Sequence, residues 1–157
     1  MKRYLGLLCI ILSLFLMVSC GKNNVIDFEM GMSSEEIETL CADDDFFGED
    51  KTSNIVSYKR ENIKFFENEE VISMFYFTDD ELSKVIYDVS DCSTENIDKM
   101  VDYFDDKFEQ VSNKNETLGD YPYSHIEWED GNMNITYEKI TMGNSSQIKF
   151  YFKNKDW

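Results

Sequence analysis

The chain has 157 residues and a formal charge of −17, with 32 Asp and Glu against 15 Lys and Arg. Its hydrophobic share of 42% and aromatic share of 15% are sufficient for a buried core, which argues against intrinsic disorder. The negative charge disfavours anionic partners such as nucleic acids, anionic lipid head groups and wall polymers.

The N-terminus has the features of an export signal. Lys2 and Arg3 form a positive start, and residues 4–18 form an apolar run without charge. This run is shorter than the roughly 20 residues that a membrane-spanning helix needs. The small residue Ser19 then precedes Cys20. Together they predict a signal peptide over residues 1–19, with an uncleaved anchor or plain secretion as alternatives.

The segment Leu16-Met17-Val18-Ser19-Cys20 resembles the lipobox of bacterial lipoproteins. The resemblance implies that Cys20 becomes the first residue of the mature protein and carries a diacylglyceryl group. Each buried CH₂ contributes about 0.8 kcal/mol, so two acyl chains make a stable anchor. Residues 20–27 are then the lipidated cysteine and a short tether. We expect the protein at the outer, extracytoplasmic face of a cell membrane.

Cleavage makes the protein more acidic. Removal of residues 1–19 takes away Lys2 and Arg3, which leaves 13 basic against 32 acidic residues and a formal charge of −19. Such a charge favours cations or a basic protein as partners, or serves only to keep the domain soluble. Both interpretations remain open.

Metal or disulfide chemistry would depend on few residues. In an exported protein, Cys41 and Cys92 either form a disulfide or remain two buried thiols. These cysteines and His125 lack the clustered spacing of a zinc site. The acidic run 43–50 has Phe47 at loop position five, where an EF-hand requires a ligand, so it predicts a connecting loop. We expect no metal and no other cofactor.

Catalytic motifs do not stand out. His125 is the only histidine, and the chain has neither a Gly-x-Ser-x-Gly nucleophile motif nor a Gly-rich phosphate loop. With 32 acidic residues, two neighbouring carboxylates are expected by chance and do not indicate a glycosidase. We therefore predict that the protein is not an enzyme, and that His125 is a strand-edge residue.

The first half of the domain begins with a short helix. Ser33 and Glu36 form the pattern of a capping box, and Ile37 and Leu40 provide an apolar side. A stretch rich in β-forming residues follows, with breaks at residues 60–62, 67–69 and 78–80. This predicts an antiparallel meander with strands over residues 55–58, 63–66, 71–77 and 85–89.

The second half repeats this order. A helix is predicted from Ser93, with one apolar stripe formed by Ile97, Met100, Val101, Phe104, Phe108 and Val111. Three strands are predicted after it, over residues 126–128, 133–137 and 148–152, with turns at Gly131 and Gly143.

These elements predict an α+β fold. It is a single domain over residues 28–157, made of two helix-then-antiparallel-meander units over residues 28–89 and 93–152. Because each helix has one apolar stripe, both are expected on one face of an antiparallel sheet, in a two-layer domain. The repeated order suggests a degenerate duplication.

The segment Met30-Gly31-Met32-Ser33-Ser34-Glu35-Glu36-Ile37 is similar to the opening of small outer-membrane assembly lipoproteins of the SmpA/OmlA type and of β-lactamase-inhibitory-protein-like domains. The resemblance implies a non-catalytic scaffold that binds proteins through aromatic side chains of its sheet. The candidates are Tyr76, Tyr87, Trp128, Tyr137 and Tyr151. The predicted function is a membrane-anchored protein-binding or envelope-assembly module. The alternative is an inhibitor or immunity-type protein that neutralises a basic exported enzyme.

Overall fold

The computed structural model describes residues 28–40, 45–52, 55–66 and 69–156. One helix followed by four strands occurs twice along the chain. The first set is α1 Ser34–Leu40, β1 Asp45–Thr52, β2 Ile55–Phe65, β3 Glu69–Thr78 and β4 Glu81–Asp88. The second set is α2 Thr94–Lys107, β5 Glu109–Leu118, β6 Tyr121–Asp130, β7 Met133–Met142 and β8 Ser145–Asn154.

All eight strands form one antiparallel sheet, in the order β1-β2-β3-β4-β8-β7-β6-β5. Each set of four strands is a meander, and the two meanders join where β4 pairs with β8. At this junction Val85 lies opposite Phe152, and Tyr87 lies opposite Phe150. Strands β1 and β5 form the two edges of the sheet. The predicted α+β class with antiparallel meanders is confirmed.

Helix α1 begins with the predicted capping box. The N–H of Ser33 donates to Oε2 of Glu36 over 2.8 Å, and the N–H of Glu36 donates to Oγ of Ser33 over 3.3 Å. These bonds stabilise the carboxylate and lower the pKa of Glu36. The hydroxyl of Ser34 donates to Asp80 in the β3–β4 turn over 2.7 Å, which ties the start of the helix to the sheet.

Helix α2 begins at the predicted cap and ends earlier than its apolar stripe suggests. Oγ of Ser93 accepts a hydrogen bond from the N–H of Asn96, and the N–H of Phe108 donates to the carbonyl of Phe104 at the other end. The helix therefore stops at Lys107. Val111, predicted on the helical stripe, instead lies on β5 with its side chain half exposed.

One face of the sheet carries the core, and we call it the core face. Its buried side chains include Phe75, Val85, Tyr87, Trp128, Ile135, Tyr137, Ile148, Phe150 and Phe152. Phe104 of α2 packs on them, with its ring centroid 5.5 Å from Trp128 and 5.2 Å from Phe150. Phe28 packs on the same face, 5.7 Å from Phe152. Ile37 of α1 belongs to the same buried cluster.

Three strand regions differ from the expectation. Residues 45–50 were expected in an acidic loop, but they form part of β1 and pair with β2. The expected break at residues 60–62 is a register shift inside the continuous strand β2. Strand β5 was not predicted, because its sequence EQVSNKNETL lacks the apolar alternation of a half-buried strand. Backbone pairing with β6 holds these polar residues extended.

The position of Phe104 predicts a large effect on stability. Its side chain is fully buried and contacts rings on α2, β6 and β8. Phe104→Ala should lower the free energy of unfolding by about 3–5 kcal/mol, measured by urea denaturation. Val111→Ala is the control, because this half-exposed side chain should change the value by less than about 0.5 kcal/mol. Equal effects of the two substitutions would contradict this packing.

Candidate functional site

The sheet has a second face, opposite the core face, which we call the outer face. Side chains alternate between the two faces along a strand, so residues next to core positions point outward. The registers place many partly buried polar or aromatic residues there, among them Tyr76, Lys84, Asp88, Tyr123, His125, Glu127, Thr136, Glu138, Lys149, Tyr151 and Lys153. Each of these side chains is partly covered and partly open to solvent.

A hydrogen-bonded cluster lies on β6 and β7. The hydroxyl of Tyr123 donates to Oε1 of Glu138 over 2.9 Å and lies 2.9 Å from Nδ1 of His125. Because a phenol has one proton, Nδ1 must donate to complete the second bond. Nε2 of His125 lies 3.1 Å from Oε1 of Glu127. Both ring nitrogens are therefore held by neighbours, and the histidine side chain is only 16% exposed.

The carboxylate of Glu138 also contributes to raising the pKa of the nearby phenols of Tyr123 and Tyr151. Burial raises the pKa of Tyr123 to about 12, and the hydrogen bond and negative charge of Glu138 contribute to this rise. Burial, the charge of Glu138 and a hydrogen bond to it also raise the pKa of Tyr151. Both phenols therefore remain neutral hydrogen-bond donors at physiological pH.

A row of basic and acidic side chains crosses five strands through this cluster. Lys114 lies opposite His125, His125 opposite Glu138, Glu138 opposite Lys149, and Lys149 opposite Asp88. Nζ of Lys149 is 3.8 Å from Oδ2 of Asp88. Opposite charges at such cross-strand positions contribute roughly 0.2–1 kcal/mol, which applies here to Glu138 with Lys149 and to Lys149 with Asp88.

The outer face continues across β4 to β3 with aromatic and aliphatic side chains. Nζ of Lys84 lies 4.1 Å from the centroid of the Tyr76 ring, in a cation–π contact. Burial, together with the charge of Lys153, lowers the pKa of Lys84. Ile86, between them and Tyr151, is buried although it points to the outer face. The face is thus continuous from β3 to β6.

The five predicted aromatic residues divide between the two faces. Tyr76 and Tyr151 are partly buried on the outer face. Tyr87, Trp128 and Tyr137 are buried on the core face, so the prediction that they line a binding surface is corrected. Tyr87 packs on Phe152 and Tyr137 packs on Phe150, and Nε1 of Trp128 donates to Asp105 of α2 over 2.7 Å.

His125 does not occupy the predicted strand edge. It lies in the middle of β6, which extends over Tyr121–Asp130 and not only over residues 126–128. The usable signal was the alternation of Tyr123, His125 and Glu127, which places all three on one face once the strand is extended. Their partner Glu138 lies on β7, beyond the β6–β7 turn, and only the pairing register of the two strands shows that it lies opposite His125.

The predicted lipidation and disulfide depend on cysteines outside the described residues. Cys20 and Cys41 both lie there, so both predictions stay predictions. Cys92, the possible partner of Cys41, lies just before α2 and is partly buried against the core.

Within the described ranges, no group of three or more His, Cys, Asp or Glu side chains is arranged to hold a metal ion. In the same part of the chain, no helix has the length and apolar character needed to cross a bilayer. Comparison with protein-family models, curated proteins and solved structures finds no match.

The outer-face cluster predicts a pH dependence of stability. Tyr123 ionises near pH 10 in an unfolded chain and near 12 in the folded one, so its contribution is complete below pH 10 and is lost as the pH rises to 12. Tyr123→Phe should reduce the slope of unfolding free energy against pH over this range, measured by urea denaturation. The control is Tyr121→Phe at a half-exposed position. An unchanged slope in Tyr123→Phe would refute the assignment.

Proposed function

We propose that this chain is a lipid-anchored, extracytoplasmic and non-catalytic module that binds another protein on the outer face of its sheet. The observation that carries the proposal is the prearranged set of aromatic and oppositely charged side chains on that face. The lipobox at Cys20 supplies the anchor, and the sheet supplies the surface.

The aromatic residues of the outer face suit a protein interface. Tyr76 contacts Lys84, and Tyr123 and Tyr151 are hydrogen-bonded to Glu138. Side chains that are already held in place lose little conformational entropy on binding. Tyrosine is enriched at protein interfaces because it combines an apolar ring with a polar hydroxyl. The basic and acidic side chains would favour a partner with a complementary pattern.

The arrangement of the helices supports an accessible outer face. We infer a two-layer domain in which α1 and α2 both lie on the core face. Ile37 of α1 and Phe104 of α2 belong to one buried cluster with core-face residues, which supports this inference. The repeated order of one helix and four strands is in keeping with the proposed likeness to β-lactamase-inhibitory-protein-like and SmpA/OmlA-type domains.

The anchor predicts where variants of the protein are found. Cys20→Ser should move the protein from the membrane fraction to the soluble fraction and remove the acyl mass from the mature chain. Cys9→Ser, in the signal peptide, should leave both unchanged. Fractionation and intact-mass spectrometry measure the two properties. Membrane retention of an unacylated Cys20→Ser protein would contradict the proposed anchor.

A second candidate function, an inhibitor or immunity-type protein for a basic exported enzyme, is favoured by a different surface. Asp98, Asp102 and Asp106 follow one another at four-residue spacing along α2, and all three are exposed. A basic enzyme would dock on this row, and salt would weaken the complex because exposed charges are screened.

Photo-crosslinking in intact cells separates the two candidates. A photoreactive amino acid at Tyr151 should crosslink to one protein if the outer face binds, and Lys149→Glu should reduce that crosslink because it reverses the central charge. The same amino acid at Asp106 is the matched control and should give no crosslink. A crosslink from Asp106 alone would favour the inhibitor, and the partner's activity in the complex would identify it.

A further inference from the structure

Three half-exposed apolar side chains meet at one corner of the sheet, and we call them the apolar tip. Leu118, Tyr121 and Met142 are 57%, 49% and 42% exposed. Leu118 lies opposite Tyr121 across the β5–β6 turn. Tyr123 lies opposite Ile140, so two residues further along both strands Met142 flanks Tyr121. The tip is thus one patch contributed by three neighbouring strands.

Tight turns fix the shape of this tip. Gly119 begins the two-residue β5–β6 turn with a φ of 64°, and Gly143 begins the β7–β8 turn with a φ of 63°. Two-residue hairpins of this kind require a positive φ, which glycine adopts without strain. Short turns hold the three apolar side chains in fixed positions at the end of the sheet.

The tip is poor in charge, although the chain is strongly acidic. Residues 140–148 contain no charged side chain, and residues 117–124 contain only Asp120. The opposite end of the sheet carries five acidic residues, Asp79, Asp80, Glu81, Asp130 and Asp156, together with Lys153 and Lys155. The hairpins of the tip themselves bring little negative charge to an anionic surface.

The start of the described chain faces the end of the sheet that carries the tip. Phe28 packs beside Phe152 and Tyr87, and the chain then runs to Gly31, whose N–H donates to the carbonyl of Leu82. From Phe28 to Gly31 the chain therefore runs away from the tip. Within the described residues, Phe28 is therefore nearer to the tip than Gly31 is.

The length of the tether brings the bilayer within reach of the tip. Eight residue steps separate Cys20 from Phe28, and they span at most about 28 Å when fully extended. Ile135, the partner of Phe152, is seven residues from Met142 along β7, or about 24 Å. The tip and the lipid attachment point can therefore lie at the same level.

We propose that the apolar tip rests in the lipid bilayer to which Cys20 is attached, as a second contact that orients the domain. This inference depends on the proposed lipidation of Cys20. Leu118 and Met142 would enter the boundary between head groups and acyl chains, and Tyr121 would place its ring there with its hydroxyl toward water. The expected surface is zwitterionic, because the acidic chain is repelled by anionic lipid.

Tryptophan fluorescence in the full-length lipidated chain tests the contact. Tyr121→Trp is reconstituted in phosphatidylcholine vesicles with and without brominated phosphatidylcholine, and the parent chain with Trp128 and Trp157 provides the background. We expect about twofold quenching of the added tryptophan by the bromine atoms, since both reach the acyl boundary. Glu81→Trp, at the acidic end, is the matched control and should not be quenched.

A further variant tests whether the apolar neighbours, and not the added tryptophan alone, hold the tip in the bilayer. Leu118→Ser with Met142→Ser, added to Tyr121→Trp, should reduce the quenching while the protein still floats with the vesicles. Loss of two surface side chains should leave the fold intact, which circular dichroism checks. Quenching that persists unchanged in this variant would overturn the role of the tip.

The remaining outcomes separate the tip from the anchor. A chain that floats with the vesicles but is not quenched at residue 121 overturns the tip contact and leaves the anchor standing. A chain that does not float and carries no acyl mass at Cys20 overturns the anchor, and the tip proposal with it. A tryptophan emission shift that depends on protein concentration without vesicles would assign the tip to a second copy of the chain.

Discussion

Pairing of β4 with β8 is the contact on which the rest of the structure depends. Within each meander, consecutive strands pair with one another, and the β4–β8 pair joins the two meanders into one sheet. The core-face residues of the pair, Tyr87 and Phe150, belong to the buried core, while the outer-face pair of Asp88 and Lys149 joins the charged row. A slip by one residue would exchange the two faces, and register is strongly specified because one face is buried.

The same pairing separates the side chains that stabilise the fold from those that remain exposed. The core face is filled by aromatic side chains that pack against Phe104 and Phe28, so its tyrosines and its tryptophan stabilise the fold. The outer face carries the tyrosines that are held by charged neighbours and remain partly exposed. A scaffold that uses one face for its own stability can present the other face rigidly, which suits a binding module.

Local patterns predicted the elements that local forces form. The Ser93 cap and the helical spacing of Ile97, Met100 and Phe104 located α2, and the box of Ser33 and Glu36 located α1. Strand β5 was not predicted because its residues are polar and give no apolar face. The strand forms through backbone pairing with β6. The cluster of Tyr123, His125 and Glu138 was not predicted either, since only the β6–β7 register brings these residues together. Aromatic residues such as Trp128 suit either face, and composition does not distinguish the two.

If a protein of the cell envelope covers the outer face, it should shield the carboxylates there from modification. Carboxyl footprinting by mass spectrometry measures this in native membranes and in the purified lipidated chain. Asp88, Glu127 and Glu138 should be modified less in native membranes than in the purified chain, while Asp102 on α2 should be modified equally in both. Equal modification of the three outer-face carboxylates in the two samples would show that no protein occupies this face.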